Sequence, residues 1–198
     1  VQNATTEVAP AYGASTSGLS GVGLLDGDAV QFNADDLSDE GGSFESATEN
    51  FTWPTGPFTV RVVFYADMTN DRGMIFRIDG HGGSGVDNLF ELEYRSTTQL
   101  NVIITGDDGV GGETTIGHII NCSTGWHLID VYCHPAGGAG GVARSRVMLD
   151  GVEVITTQDH TSTIDVDSRG STAAIQIGSK DGGAAIAPGT RVLLAGVT

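Results

Sequence analysis

The stretch Trp126 to Thr157, WHLIDVYCHPAGGAGGVARSRVMLDGVEVITT, leaves few choices for how the rest of the chain can fold. Trp126 to Cys133 alternates side chains with a period of two, as a half-buried strand does. A Gly-rich break at 136–141 leads into a second strand, Ser145 to Asp150. Asp150-Gly151 then supplies the two positive-φ residues that a tight type I′ hairpin requires, so Val152 to Thr157 returns alongside. The unit is strand, wide loop, strand, two-residue turn, strand, and such a ribbon needs partners that bury its apolar face.

The remaining segments supply them. In Phe58 to Ala66, FTVRVVFYA, one face carries Phe58, Val60, Val62, Phe64 and Ala66, and the other Thr59, Arg61, Val63 and Tyr65. This predicts a long central strand. Leu24 to Asn33, Gly73 to Asp79, Asn88 to Arg95, Gln99 to Thr105, Thr114 to Asn121, Ala173 to Gly178 and Thr190 to Val197 read as further strands. Leu100, Val102 and Ile104 alternate with Asn101 and Thr105, which predicts one wet side for that strand. Ala34 to Asn50 and Gln158 to Ser171 are polar and read as loops. About eleven short strands and no amphipathic helix predict an all-β chain, an antiparallel two-sheet jelly-roll sandwich. Residues 1–20, rich in Ala, Thr, Ser and Gly, read as an N-terminal arm, and residues 21–198 as one sandwich domain.

The Trp126-His127 pair, the Val131-Tyr132 that follows it and the Asp150-Gly151 hairpin together resemble the concanavalin A-like lectin/glucanase superfamily, which includes laminin-G-like domains and where the pattern reads roughly Trp-His-x-x-x-Val-x-Tyr. A Leu-Asp-Gly element at Leu25-Asp26-Gly27 is similar to the superfamily's opening strand. The resemblance implies a β-sandwich and, among relatives, glucanases, sugar binders and calcium-holding modules. The chain departs from it at its last strand, where 192–197 reads VLLAGV and lacks the acidic pair common in relatives.

Charge narrows the partners. Acidic side chains number 17 Asp and 8 Glu, against 8 Arg and one lysine, Lys180, for a net charge of −16. That balance argues against nucleic acid and against an anionic membrane surface, which both need clustered cations. Few lysines and many short acids suit either a saline environment or an ordinary acidic surface. The start of the chain lacks a basic region followed by an apolar run, the mark of an export signal, and no stretch is long enough for a membrane span.

Chemistry is sparse. Retaining glycoside hydrolysis needs two carboxyl groups about 5 to 5.5 Å apart. The nearest arrangement is Glu91-Leu92-Glu93-Tyr94-Arg95, read here as a solvated acidic stripe neutralised by Arg95, with Phe90, Leu92 and Tyr94 facing the core. The histidines His81, His118, His127, His134 and His160 have no zinc spacing, and neither cysteine has a cationic neighbour visible in sequence. If Ile116 to Asn121 and Trp126 to Cys133 form a hairpin around Ser123-Thr124-Gly125, Cys122 and Cys133 lie too far apart for a disulfide. Both then read as free thiols, Cys133 buried.

Asp87, Asp107 and Asp108, set in Gly/Asp loops with Asp79 and Glu113, are the weak calcium candidates, although such loops also serve as plain turns. Trp53, Tyr65, Tyr94 and Tyr132 are the aromatic residues available to a saccharide. The expectation is a non-enzymatic structural or adhesive module: a capsid decoration, turret or tail protein at a virion or extracellular surface in a saline setting. It would be homo-oligomeric, sit among other structural proteins of an assembly and need no cofactor. A carbohydrate-binding adhesion module, with or without calcium, is the alternative, and a glycoside hydrolase the third.

Overall fold

A computed structural model describes residues 4–6, 11–14, 29–31, 44–46, 56–80, 88–108, 112–164, 173–177 and 190–197. Among them are fourteen strands: β1 (Ala4–Thr6), β2 (Ala11–Ala14), β3 (Ala29–Gln31), β4 (Phe44–Ser46), β5 (Phe58–Ala66), β6 (Gly73–Gly80), β7 (Asn88–Ser96), β8 (Gln99–Asp107), β9 (Glu113–Asn121), β10 (Gly125–His134), β11 (Arg144–Leu149), β12 (Val152–Asp159), β13 (Ala173–Ile177) and β14 (Arg191–Val197). They make two seven-stranded antiparallel sheets. The first runs β1-β4-β13-β6-β7-β8-β9 and the second β12-β11-β10-β5-β14-β3-β2. The described residues include no α-helix. The expected all-β sandwich is therefore present, with three more strands than the sequence predicts. One of these, β4, falls inside the segment read as the loop Ala34 to Asn50.

The core lies between the sheets and follows from alternation. On β5, Phe58, Val60, Val62, Phe64 and Ala66 point inward and are at most 1% exposed. They meet Phe90, Leu92 and Tyr94 of β7 and Leu100, Val102 and Ile104 of β8 from the facing sheet. Burying each such aliphatic or aromatic side chain contributes about 1.5–3 kcal/mol. β-Branched and aromatic residues suit this pleated, half-buried surface, which is why FTVRVVFYA is the strand whose bounds the sequence marks most clearly. The predicted wet side of β8 is drier than its sequence suggests: Thr105 is buried, and its hydroxyl lies 3.3 Å from that of Thr115 on β9.

The organising ribbon is as expected. β10, β11 and β12 are adjacent, with Ile129 opposite Leu149 and Val147 opposite Ile155. Asp150 and Gly151 adopt φ of 53° and 78°, the left-handed pair of the tight turn.

The predicted hairpin between β9 and β10 does not form. β9 is the edge of the first sheet, whereas β10 pairs with β5 and β11 in the second, so Cys122 to Thr124 carries the chain from one sheet to the other. Cys122 stands at this crossover and Cys133 near the far end of β10, and both are free thiols.

Candidate functional site

Four groups of polar side chains bear on function. The first lies on the outer face of the first sheet, where register places Arg77 of β6 opposite Glu91 of β7. Arg77 Nε lies 3.4 Å from Glu91 Oε1, and the two side chains are 1% and 3% exposed. The expected solvated stripe is thus corrected: Glu91 is buried against Arg77, while Arg95 is exposed. Glu93, the next acid on that face, accepts a 3.0 Å hydrogen bond from Asn101. Phe90, Leu92 and Tyr94 face the core as predicted.

The second group is the calcium candidates. Asp107 ends β8, and Asp108 is folded back on its own loop. The Gly112 amide donates to Asp108 Oδ1 at 2.8 Å, and the Asp108 amide donates to the Gly112 carbonyl at 2.9 Å. Asp108 therefore does the work of a turn residue. Asp87 lies outside the described residues, as do His81 and Trp53. Among the described residues no three His, Cys, Asp or Glu side chains come close enough to hold a metal ion.

The third group covers the outer face of the second sheet. Trp126, Tyr65 and Arg191 stand opposite one another on β10, β5 and β14. The Trp126 and Tyr65 rings meet edge to face at 5.8 Å, and the Arg191 guanidinium lies 4.7 Å from the Tyr65 centroid. All three are half-buried. Further along the face Arg61 grips Asp130 with two hydrogen bonds of 2.7 and 2.8 Å. Beyond them Arg146 sits 5.9 Å from the Tyr132 ring. Sequence reading found Tyr65 and Tyr132 but not that they share a face with Trp126 and three arginines. The signal was the odd-numbered set of β5, which holds Arg61 and Tyr65 together.

The fourth group is histidines tied over long range. His127 Nδ1 donates to Asp150 Oδ2 at 2.7 Å, and Nε2 donates to the Ser123 carbonyl at 2.8 Å. Because a carboxylate and a carbonyl only accept, both ring nitrogens carry protons and the ring is an imidazolium. Burial opposes that charge, but the neighbouring Cys122 side chain and the hydrogen bond the ring donates to Asp150 outweigh it, and the pKa is pushed up to about 9. Inside the sandwich, the Gln158 amide donates to His118 Nδ1 at 3.2 Å, so His118 Nε2 donates to Ser145 Oγ at 2.7 Å. The Ser145 hydroxyl then donates to His160 Nε2, also at 2.7 Å. Burial, reinforced by His160, lowers the His118 pKa to about 4. Ser145 is fully buried, so this serine does not meet a substrate.

No protein-family model and no curated protein sequence matches the chain. Solved structures do. The LG4-5 domains of the mouse laminin α1 chain superpose with a TM-score of 0.55 at 15% identity, over 96% of this chain and 44% of that one. The fold is that of the concanavalin A-like, laminin-G-like β-sandwich. A sialidase module from Ruminococcus gnavus, CBM40 bound to α2,3-sialyllactose, matches this sandwich at TM-score 0.52 and 11% identity, over 72% of this chain and 76% of that one. The enzymatically active domain of tailspike protein 2 from bacteriophage CBA120 matches at TM-score 0.62 and 12% identity. There 99% of this chain aligns with 28% of the tailspike. Binding modules and a catalytic domain thus share the architecture, and activity has to be argued from side chains.

In this laminin-G-like sandwich the two sequence signatures meet physically. The His of Trp126-His127 bonds the Asp of Asp150-Gly151, and Asp150 Oδ1 also accepts from the Leu128 amide at 2.9 Å. The pair pins the start of β10 to the turn after β11.

Proposed function

We propose that the chain is a non-enzymatic adhesive module that takes a saccharide on the outer face of its second sheet. The observation that carries this reading is the half-exposed row Trp126, Tyr65 and Arg191, with the Arg61–Asp130 pair beside it. Indole and phenol faces pack against the apolar C–H side of a pyranose, while guanidinium and carboxylate supply the directional bonds that hydroxyl groups need. The saccharide-bound and phage structures of the same fold are consistent with that use. Glu91 argues against hydrolysis, because its carboxyl group is sealed beside Arg77 and 3% exposed, out of reach of a saccharide on the surface.

The module would be displayed on a virion or other extracellular surface in a saline setting, in keeping with its lysine-poor composition. Copies would associate through β12, an edge strand whose Val152 and Val154 are 64% and 39% exposed. No resident cofactor is assigned, and calcium is left to a chelation arm of the test.

The experiment is a glycan array probed in molar salt with full-length protein, with and without chelator. Binding that survives chelation and falls at least tenfold in Trp126→Ala and Tyr65→Ala, but not in Glu93→Gln, is the expected result. A blank array, or signal unaffected by either aromatic variant, overturns the assignment of this face. Light scattering on the wild type and on Val154→Lys tests the β12 association, and monomer in both would refute it.

A further inference from the structure

The strands of the first sheet carry six carboxylates against Arg77 and Arg95, whereas those of the second carry Arg61, Arg144, Arg146 and Arg191 against Asp130, Glu153 and Asp159. In a chain of net charge −16, one sheet thus reverses the balance and collects half of the eight arginines. It is the sheet whose outer face bears the row of Trp126, Tyr65 and Arg191.

Three of these arginines are each held by a carboxylate. Arg61 meets Asp130 at 2.7 and 2.8 Å, Arg144 meets Asp159 at 2.6 and 3.2 Å, and Arg146 lies 3.8 Å from Glu153. Arg191 sits in a different setting. Its guanidinium lies over the Tyr65 ring, 4.7 Å from the centroid, and Trp126 meets that ring edge to face. The contact with Tyr65 is made through the cation's charge, while the five N–H donors of a guanidinium lie in one plane, as a fork that matches the two oxygens of a carboxylate. From Arg191 to Trp126 the row crosses two strand gaps, about 10 Å. The neighbouring row is apolar, with Leu128 opposite Val63. A carboxylate taken in the fork therefore leaves the sugar ring that bears it beside aromatic and aliphatic surface.

Resting on the saccharide reading above, we infer that the sugar preferred by this face is acidic, a uronate unit whose carboxylate is taken by Arg191, and that Arg191 sets the specificity. Paired N–H bonds to a carboxylate are both stronger and more directional than bonds to a neutral hydroxyl group. Lysine at this position would supply charge without the fork. Arg61, Arg144 and Arg146 confer no such preference, since each already has its acid.

The test uses full-length protein at pH 7 in physiological salt and an array of glucuronate, galacturonate and mannuronate oligomers. Each is printed beside the same oligomer with its carboxyl groups reduced to alcohols. Expected is at least one acidic oligomer bound about tenfold or more tighter than its reduced partner. Arg191→Gln, checked by circular dichroism to be folded, should bring that ratio close to one, and Arg191→Lys should lose most of it. Arg95→Gln, an equal change of net charge at an exposed position of the first sheet, should leave it as it was. A ratio that falls as far in Arg95→Gln as in Arg191→Gln would overturn the inference. So would neutral sugars bound as tightly as acidic ones by the wild type, a result that needs no variant and leaves the saccharide reading standing. Binding to no sugar of either kind would overturn both.

Discussion

His118 Nε2 lies 2.7 Å from Ser145 Oγ, so an imidazole from the edge of one sheet donates a hydrogen bond to a hydroxyl of the other inside the sandwich. His160 accepts from the same hydroxyl, and burial, its first cause, lowers the pKa of both rings, that of His118 to about 4. Neutral rings are what this arrangement holds. Below pH 6.5 the unfolded chain takes up protons that the folded chain refuses, so stability is full above that value and falls as pH drops toward 4. The loss for His118 is roughly 3 kcal/mol at about 1.4 kcal/mol per pKa unit. Urea titrations at pH 7 and pH 4.5 should show it, and His118→Gln should flatten much of the difference. An unchanged difference in the variant would show that other groups carry it.

His127 behaves in the opposite sense. Its pKa is raised to about 9 despite burial, so between pH 6.5 and 9 the folded state keeps a proton that the unfolded state releases. Stability is complete below 6.5 and declines as pH rises through that window, by up to roughly 3 kcal/mol. Thermal melts at pH 7 and 9.5 should differ accordingly. Asp150→Asn should reduce the gap, and equal gaps in variant and wild type would count against the pairing.

Arg77 and Glu91 form a buried pair, and buried pairs are costly to break from one side only. Glu91→Ala should destabilise by roughly 3–5 kcal/mol, because it leaves a guanidinium without its carboxylate in a dry place. Arg77→Met combined with Glu91→Leu should recover most of that loss. A double variant as unstable as the sum of the singles would mean that the two side chains act independently.

Gly151 and Gly117 offer a controlled comparison. Neither has an atom within 4 Å of where a Cβ would stand, but Gly151 has φ of 78° while Gly117 lies in β9. Gly151→Ala should therefore cost about 1 kcal/mol through left-handed strain alone. Gly117→Ala should be neutral or stabilising by about 0.5 kcal/mol, through the unfolded chain's lost freedom. Chemical denaturation of the two variants side by side decides this.

What the sequence discloses is local. Alternation in FTVRVVFYA locates β5 to the residue, and Asp150-Gly151 names its own turn, because both signals depend on neighbours within a few positions. Where partners are distant, the reading fails. Ser123-Thr124-Gly125 has the composition of a hairpin turn, yet here it joins two sheets, a choice made by pairing to β5 and not by the turn itself. The sequence sets Glu91 beside Arg95, four residues away, because nothing local announces Arg77 across the strand gap. The His118, Ser145 and His160 chain and the Trp126, Tyr65 and Arg191 row likewise exist only once register is set.

The position of β14 sets the order of events during folding. It lies between β5 and β3, so the strand at the heart of the second sheet has one flank filled by Arg191 to Val197, more than a hundred residues downstream. Until that segment arrives, β5 presents an open row of amides and carbonyls beside β-branched side chains. A nascent chain stalled before Arg191 would thus carry an unzipped apolar ribbon, open to strand exchange with its neighbours. Long-range closure of this kind also places the folding time in the millisecond-to-second regime of all-β sandwiches.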